Sequence, residues 1–530
     1  MITKIAIENF KGIKDRVEID LKPITLLFGP NSAGKSTVVQ AIHYAREVLS
    51  RKNYDPDMTE IGGDSIDLGG FRNFVYNHNE NLPITIKIEA KFNGDLPPQT
   101  YFEMADAQST LEEYTIEQLD NSTAGAQTCW VEFSIIWHYE LQAPIVDRYS
   151  TGLDDEKLLD VKFQSIINKK PVYMLQNLNF EHELFEDSSL LEDFNALDFP
   201  DNGVELKTGI PHWGWDENQF SFDQYIDGFR YHELEVIINK LYVGPGQIIS
   251  EELDKMTYIG PIRKLPSRDF LPEKYIRKER WASGLAAWDM LFKESPEYLK
   301  ELNHWLEAMK TGYSIEIKDY FMLENDSPIV LGVDPITGKR LEDSEDYRKA
   351  FEKLPHKKKL SILDISNNIE VSPSDIGIGI SQFFPIVVAA LDNESSIVAV
   401  EQPELHIHPG LQQKLTELFI KQINGENFSG QFIIETHSEH MMLRILKRIE
   451  DTHQELALSD NESNDNNDYL SIDKTLGPDK YYLWNTQVSV VWVEPNSEGT
   501  KLTQLPIDET GEFREKWPRG FFEEREEDLF

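Results

Sequence analysis

The chain of 530 residues carries 93 Asp and Glu against 52 Lys and Arg, a formal net charge of −41, so its surface as a whole repels phosphate backbones and any nucleic-acid contact must be local. No run approaches the ~20 apolar residues of a membrane span, and the N-terminus MITKIAIENFKG lacks a signal peptide's basic and apolar regions, so no membrane association and a cytoplasmic location are expected. A single cysteine, Cys129, excludes an intramolecular disulfide and a cysteine-built zinc finger, while 40% hydrophobic residues suffice for large cores in roughly two to four domains.

Residues 1–90 read as strand, loop, strand, phosphate loop and helix, closing on the strand Ile84 to Ile88. The apolar run Pro23 to Phe28 leads into Gly29-Pro30-Asn31-Ser32-Ala33-Gly34-Lys35-Ser36-Thr37, and a helix from Val38 to Leu49 follows. Gly29 and Gly34 bend the backbone so that successive N–H groups and the helix N-terminus face phosphate oxygens. Lys35 would reach the β/γ-phosphates and Ser36 would hold Mg²⁺, so ATP and Mg²⁺ are the expected ligands.

Residues 91–250 change to short strands such as Trp130 to Tyr139, separated by acidic, turn-rich stretches, and read as an antiparallel β-rich insertion without coiled-coil heptads. Residues 251–455 return to buried-strand and helical text. The segment Arg263 to Arg280 concentrates Arg and Lys and is the candidate nucleic-acid contact, with His356 to Lys359 as a second; the competing reading is a solvated or neutralised face. Ser372 to Gln382 sets Gly377 and Gly379 before an apolar helical run, a second anion-facing N-terminus that suggests a composite site shared between protomers.

Ser395 to Glu404 is an apolar strand ending in acids, which puts Glu401 where a metal-holding carboxylate belongs. The strand Gln431 to Ile434 ends in Glu435-Thr436-His437-Ser438, so His437 emerges at a C-terminal sheet edge as the candidate γ-phosphate sensor. Glu404, His406 and His408 would share one face of an extended run, an alternative metal site. Residues 456–470 read as an acidic linker, disordered or looped, and 471–530 as a small C-terminal α+β module with a strand from Val488 to Val493.

The stretches ENFKGIKD, LLFGPNSAGKST, YIGPIR, SDIGIGISQ, VAVEQPELHIHP and IIETHSEH together resemble the ABC-type ATPases of the recombination-repair (RecF), chromosome-maintenance (SMC) and overcoming-lysogenization-defect (OLD) branch. WPRGFFEER resembles the C-terminal signature of a bacterial subfamily of AAA-type ATPases. The likeness covers both ATPase lobes and not the insertion. It implies an α/β fold, an ABC-type ATPase head of two lobes with a P-loop, to which the residues add the antiparallel β-rich insertion and the small C-terminal α+β module. It further implies a head-to-head homodimer, or a higher even-numbered oligomer, holding ATP and Mg²⁺. In that arrangement Asn31, Lys35, Ser36 and Thr37 bind phosphates and Mg²⁺, Glu401 supports the metal, His437 is the switch histidine, and Gly377, Gly379 and Ser381 act across the dimer as the signature motif.

Three departures from the family pattern stand out. Gln402 occupies the position of the catalytic glutamate; an amide orients water but accepts no proton, so hydrolysis is slow, or Glu404 serves as base, or ATP is a structural clamp. No glutamine loop stands near Leu68 to Phe71, and after His437 there is no Glu followed by Asp-x-Asp of a nuclease domain. With no long arms and an acidic body, the expected function is an ATPase that switches or scaffolds a separate effector, such as a His-Asn-His (HNH) nuclease, in bacterial antiphage defence. This resembles the ATPase subunits of Septu and of retron systems. The competing function is a RecF- or SMC-like repair or recombination ATPase.

Overall fold

The computed structural model describes residues 1–97, 125–179, 204–213, 228–321, 328–332, 351–425, 428–462 and 475–517, apart from positions 93, 95, 207, 269, 271, 353, 355, 478 and 479 within them, together with 323, 340, 345 and 348. In the N-terminal part lie strands β1 (Ile2–Glu8), β2 (Val17–Asp20) and β3 (Ile24–Phe28), helix α1 (Lys35–Arg51) and β4 (Ile84–Lys91). There follow β5 (Thr128–His138), β6 (Ala143–Leu153), β7 (Glu156–Ile167), β8 (Lys170–Leu178), β9 (Val204–Leu206), the helix α2 (Gly228–Asp254) and β10 (Met256–Ile259). The C-terminal half holds β11 (Tyr313–Phe321), β12 (His356–Asp364), β13 (Ile369–Val371), α3 (Ile378–Ala390), β14 (Ile397–Glu401), α4 (Pro409–Asn424), β15 (Gln431–Glu435) and α5 (Glu439–Glu462). The pair β16 (Thr475–Gly477) and β17 (Lys480–Tyr481) and the hairpin β18 (Val488–Asn496) and β19 (Gly499–Gln504) complete it.

One sheet has the order β10-β14-β15-β3-β18-β19 and is parallel from β10 through β18. Every residue of β3, β14 and β15 is buried, the unbroken apolar text of strands covered on both faces. Alternation divides them between two cores. Leu27, Ala399 and Ile433 face α1, α2 and a second sheet, whereas Leu26, Val400 and Ile434 face α3, α4 and α5. The second sheet is wholly antiparallel, in the order β2-β1-β4-β5-β6-β7-β8-β9.

This is the expected α/β, P-loop architecture, with the expected boundaries redrawn. A division at 90/91 falls inside a ladder: β4 pairs with β1 on one edge and β5 on the other, so the insertion's strands extend the N-terminal sheet. The stretch read as purely β-rich also ends in α2, whose Gly244-Pro245-Gly246 mimics a turn. Pro245 has no N–H for the carbonyl of Leu241. Thr151 Oγ1 donates to that carbonyl instead, at 2.8 Å, so the sheet supplies the bond the proline withholds and the helix continues. The separate C-terminal module is likewise corrected, because β18 is a parallel neighbour of β3 in the central sheet. Of the expected linker, residues 456–462 belong to α5 and 463–470 lie outside the described residues. No helix among the described residues is long and apolar enough to cross a membrane.

Candidate nucleotide site

The phosphate loop turns from the C-terminal end of β3 into α1. A Cβ on Gly29 would stand 2.1 Å from the carbonyl oxygen of Val493, so the neighbouring strand β18 admits only glycine there. Lys35, 4% exposed, opens α1, and its ammonium donates to the carbonyls of Gly29 at 3.0 Å and Pro30 at 2.9 Å. Burial lowers its pKa, while Glu435, Glu404 and Glu401 pull the other way, in that order. Asn31 is exposed at the loop tip, and Thr37 is buried with its N–H bonded to the Gly34 carbonyl at 3.0 Å.

Glu401 and Glu435 are register partners at the ends of adjacent parallel strands. The Tyr258 hydroxyl donates to Glu401 Oε1 at 3.0 Å, and the Ser36 hydroxyl donates to Glu435 Oε2 at 2.6 Å. Burial, reinforced by the charge of Glu435, pushes the Glu401 carboxyl up to about 7, and burial raises that of Glu435 as well. Each acid is therefore bonded to a neutral hydroxyl. Among the described residues no group of three or more His, Cys, Asp or Glu could hold a metal. The alternative metal site at Glu404, His406 and His408 is corrected accordingly: His408 Nδ1 accepts from the N–H of Gly410 as the cap of α4. What does fit a hard divalent cation is the phosphate loop's serine with Glu435 against it and Glu401 at the end of the next strand, nucleotide oxygens and water completing the shell. Bound there, Mg²⁺ would neutralise phosphate charge, and Ser36, Glu401 and Glu435 are the residues placed to hold it.

Beyond Glu401 the chain turns sharply. Gln402 has φ +47° and its N–H donates to the Glu435 carbonyl at 2.8 Å. The buried Arg263 guanidinium donates to the carbonyls of Glu401 and Gln402, pinning the turn, and burial pulls its pKa down to about 10. Glu404 accepts from Thr436 Oγ1 at 2.6 Å and from the His437 N–H at 2.9 Å, so both of its oxygens are engaged. His437 is half-buried; burial, then Lys35, lowers its pKa, and its Nε2 has no hydrogen-bond partner among the described residues.

The second glycine turn meets this loop from α3. A Cβ on Gly379 would stand 2.8 Å from the His406 carbonyl, and Gln382 exchanges hydrogen bonds with the Arg263 backbone at 2.8 and 3.3 Å. Gly377 is exposed at the helix cap. Ser381 departs from expectation: it is 1% exposed and its hydroxyl donates to the Ile378 carbonyl at 2.7 Å, so the surface of this turn is made by Gly377 and Ile378.

The expected nucleic-acid contact is largely occupied within the chain. Arg263 is buried; Arg268 pairs with Asp375 at 2.7 Å, Arg277 with Glu273 at 2.8 Å and Arg280 with Asp289 at 2.7 Å, and Lys278 donates to the Asp254 carbonyl. His356 and Lys357 lie in β12, opposite Phe321 and Tyr320 of β11. Sequence reasoning passed over Glu435, Tyr258 and the inward role of Arg263. A signal for Glu435 existed, since Gln431 to Glu435 repeats the apolar-run-to-acid pattern of Ile397 to Glu401.

A model of the AAA ATPase domain family matches residues 1–442. No curated protein matches the chain. Among solved structures, the SMC head bound to the C-winged helix domain of ScpA is 11% identical with a TM-score of 0.40, over 96% of this chain and 98% of that one. The SMC head domain from Thermotoga maritima is 9% identical with a TM-score of 0.35, over 96% and 99%. The SMC head domain bound to the C-terminal domain of ScpA derived from Pyrococcus furiosus is 9% identical with a TM-score of 0.35, over 95% and 96%.

Proposed function

We propose that this chain, which belongs to the AAA ATPase domain family and has an ABC-type ATPase head, uses ATP chiefly as a clamp: two copies close on nucleotide, and the closed form switches or scaffolds a separate effector. The observation that carries the reading is the state of the residues that would activate water. Gln402 is an amide whose backbone is held on both sides, and Glu404 already accepts two donors, from Thr436 and His437. With Gln402 unable to accept a proton and Glu404 committed to Thr436 and His437, the two positions that would activate water are not poised to do so, turnover is slow and the bound state persists. Glu404 then acts as a positioning residue, tying the sensor His437 to the loop that touches α3 through Gly379. Gly377, exposed at the head of α3, is the group offered to the nucleotide of the other copy, with Gly379 backing it against the His406 carbonyl.

The effector we favour is a basic protein such as an HNH nuclease, in bacterial antiphage defence, as the sequence resemblance to Septu and retron ATPases implies. The net charge of −41 favours a basic partner, and the internal pairing of Arg268, Arg277 and Arg280 lowers the support for the repair ATPase, which needs those cations for DNA. Steady-state ATP turnover tests the clamp, with Lys35→Ala as the blank and Gln402→Glu as the restored base. Wild type near the blank and a Gln402→Glu variant faster by about 100-fold, the scale of general-base catalysis, is the expected result. Brisk wild-type turnover overturns it. Plaque counts on a host carrying or lacking the gene, together with identification of the protein that co-purifies with ATP present, test the defence assignment.

A further inference from the structure

We propose that Glu435 is a direct ligand of the divalent cation that accompanies the nucleotide, so that this site grips its cation between two acids, Glu401 and Glu435, beside the Ser36 hydroxyl. The assignment rests on the nucleotide-binding reading above and deepens it. A P-loop serine is the group the loop itself aims at the cation. In this chain that hydroxyl is bonded to Glu435, at 2.6 Å, and Glu401 is bonded to Tyr258 instead. Neighbouring oxygens around an octahedral Mg²⁺, each ~2.0–2.1 Å from the ion, are about 2.9 Å apart. The Ser36 to Glu435 separation is thus close to that of two ligands of one ion.

Topology supports the same choice. The strand order places β15 directly beside β3 and β14 one strand further out. Strands lie ~4.8 Å apart, so Glu435 is the nearer acid to the phosphate loop and Glu401 the outer one. Both are nearly sealed from water, at 5% and 7% exposed, and each is bonded to a neutral hydroxyl. Two buried like charges oppose each other, and the nearby Lys35 ammonium and Arg263 guanidinium are bonded to backbone carbonyls and not to either carboxylate; a divalent ion between the two carboxylates removes the conflict. Glu435 also supplies an oxygen that the segment Leu68 to Phe71, which holds no glutamine, does not. It follows that nucleotide affinity depends on the cation more steeply than at a one-acid site, since without it both carboxylates repel the phosphates.

Manganese binding to the full chain presaturated with a non-hydrolysable ATP analogue, read from the loss of the free-ion EPR signal, tests this. Glu435→Gln keeps an acceptor for the Ser36 hydroxyl and is isosteric; Glu435→Asp keeps the charge one methylene short. The expected result is a manganese Kd weakened at least 10-fold in E435Q and to an intermediate degree in E435D, with analogue affinity in EDTA unchanged or tighter in E435Q. A manganese Kd within twofold of wild type in both variants overturns the assignment, and a fall in turnover beside it would make Glu435 a base instead. Failure of the wild type to bind the analogue with or without the cation would sink the nucleotide reading itself.

Discussion

The two large sheets treat charge in opposite ways. In the antiparallel sheet, the buried acid Asp160 of β7 is answered by a charge of the protein: it accepts from Arg148 Nε and Nη2 at 2.7 and 2.6 Å and from the Ser150 hydroxyl at 2.6 Å, and its pKa is lowered despite burial. In the parallel sheet, Glu401 and Glu435 end their strands with hydroxyl partners only, and their pKa values are raised. A fold that ion-pairs Asp160 in one sheet and leaves two adjacent acids with hydroxyl partners in the other, its nearby cations bonded to backbone carbonyls, marks the second as the place where a charge from outside is needed.

The contrast breaks most directly at Lys35. Lys35→Ala should weaken ATP binding by about 100-fold or more, because charged hydrogen bonds to phosphate contribute about 1.5–3 kcal/mol each; isothermal titration calorimetry reads it, and an unchanged Kd would move the nucleotide elsewhere. Arg263→Ala comes next. It strips the buried carbonyls of Glu401 and Gln402 of their donor and should cost about 3 kcal/mol or more in urea unfolding. A loss under 1 kcal/mol would return Arg263 to the surface role its sequence suggested.

Titration sharpens the same comparison. Glu401 has a folded value of about 7 against an ordinary 4.5. A raised carboxyl contributes stability that is fully present below its unfolded value and lost as pH rises through the folded one, which is about 3 kcal/mol lost across pH 4.5 to 7. In chelator, Glu401→Gln should therefore stabilise the protein by about 1–3 kcal/mol at pH 8 and by little at pH 4.5; equal effects at both would show the carboxyl to be an ordinary one. The smallest effect belongs to the other sheet. Asp160→Asn should cost about 1–2 kcal/mol in stability and leave ATP affinity within twofold of wild type; a larger change in affinity would mean that the antiparallel sheet takes part in the site.

Local text carried much of this site. Gly29 to Thr37 between an apolar strand and a helix, the acid at the end of Ile397 to Glu401 and the histidine after Gln431 to Glu435 are patterns within ten residues, and the sheet gathers all three at one edge. Arg263 misled because a cation run is written the same way whether its members meet water or buried carbonyls. The helix through Gly244-Pro245-Gly246 is not legible locally, because Thr151, a residue on another strand, supplies the bond that lets it continue past the proline.

By itself, then, the sequence determined the phosphate loop, the buried parallel strands and the amide at position 402, since each depends on neighbours along the chain. Tertiary structure alone decided that β18 lies beside β3, that Glu404 holds the N–H of His437, and that Ser36 meets Glu435 across 399 residues. Hydrogen bonds and charges act through space over a few ångströms. Which distant residues come within that range is fixed by sheet order and register, and periodicity along the chain does not encode them.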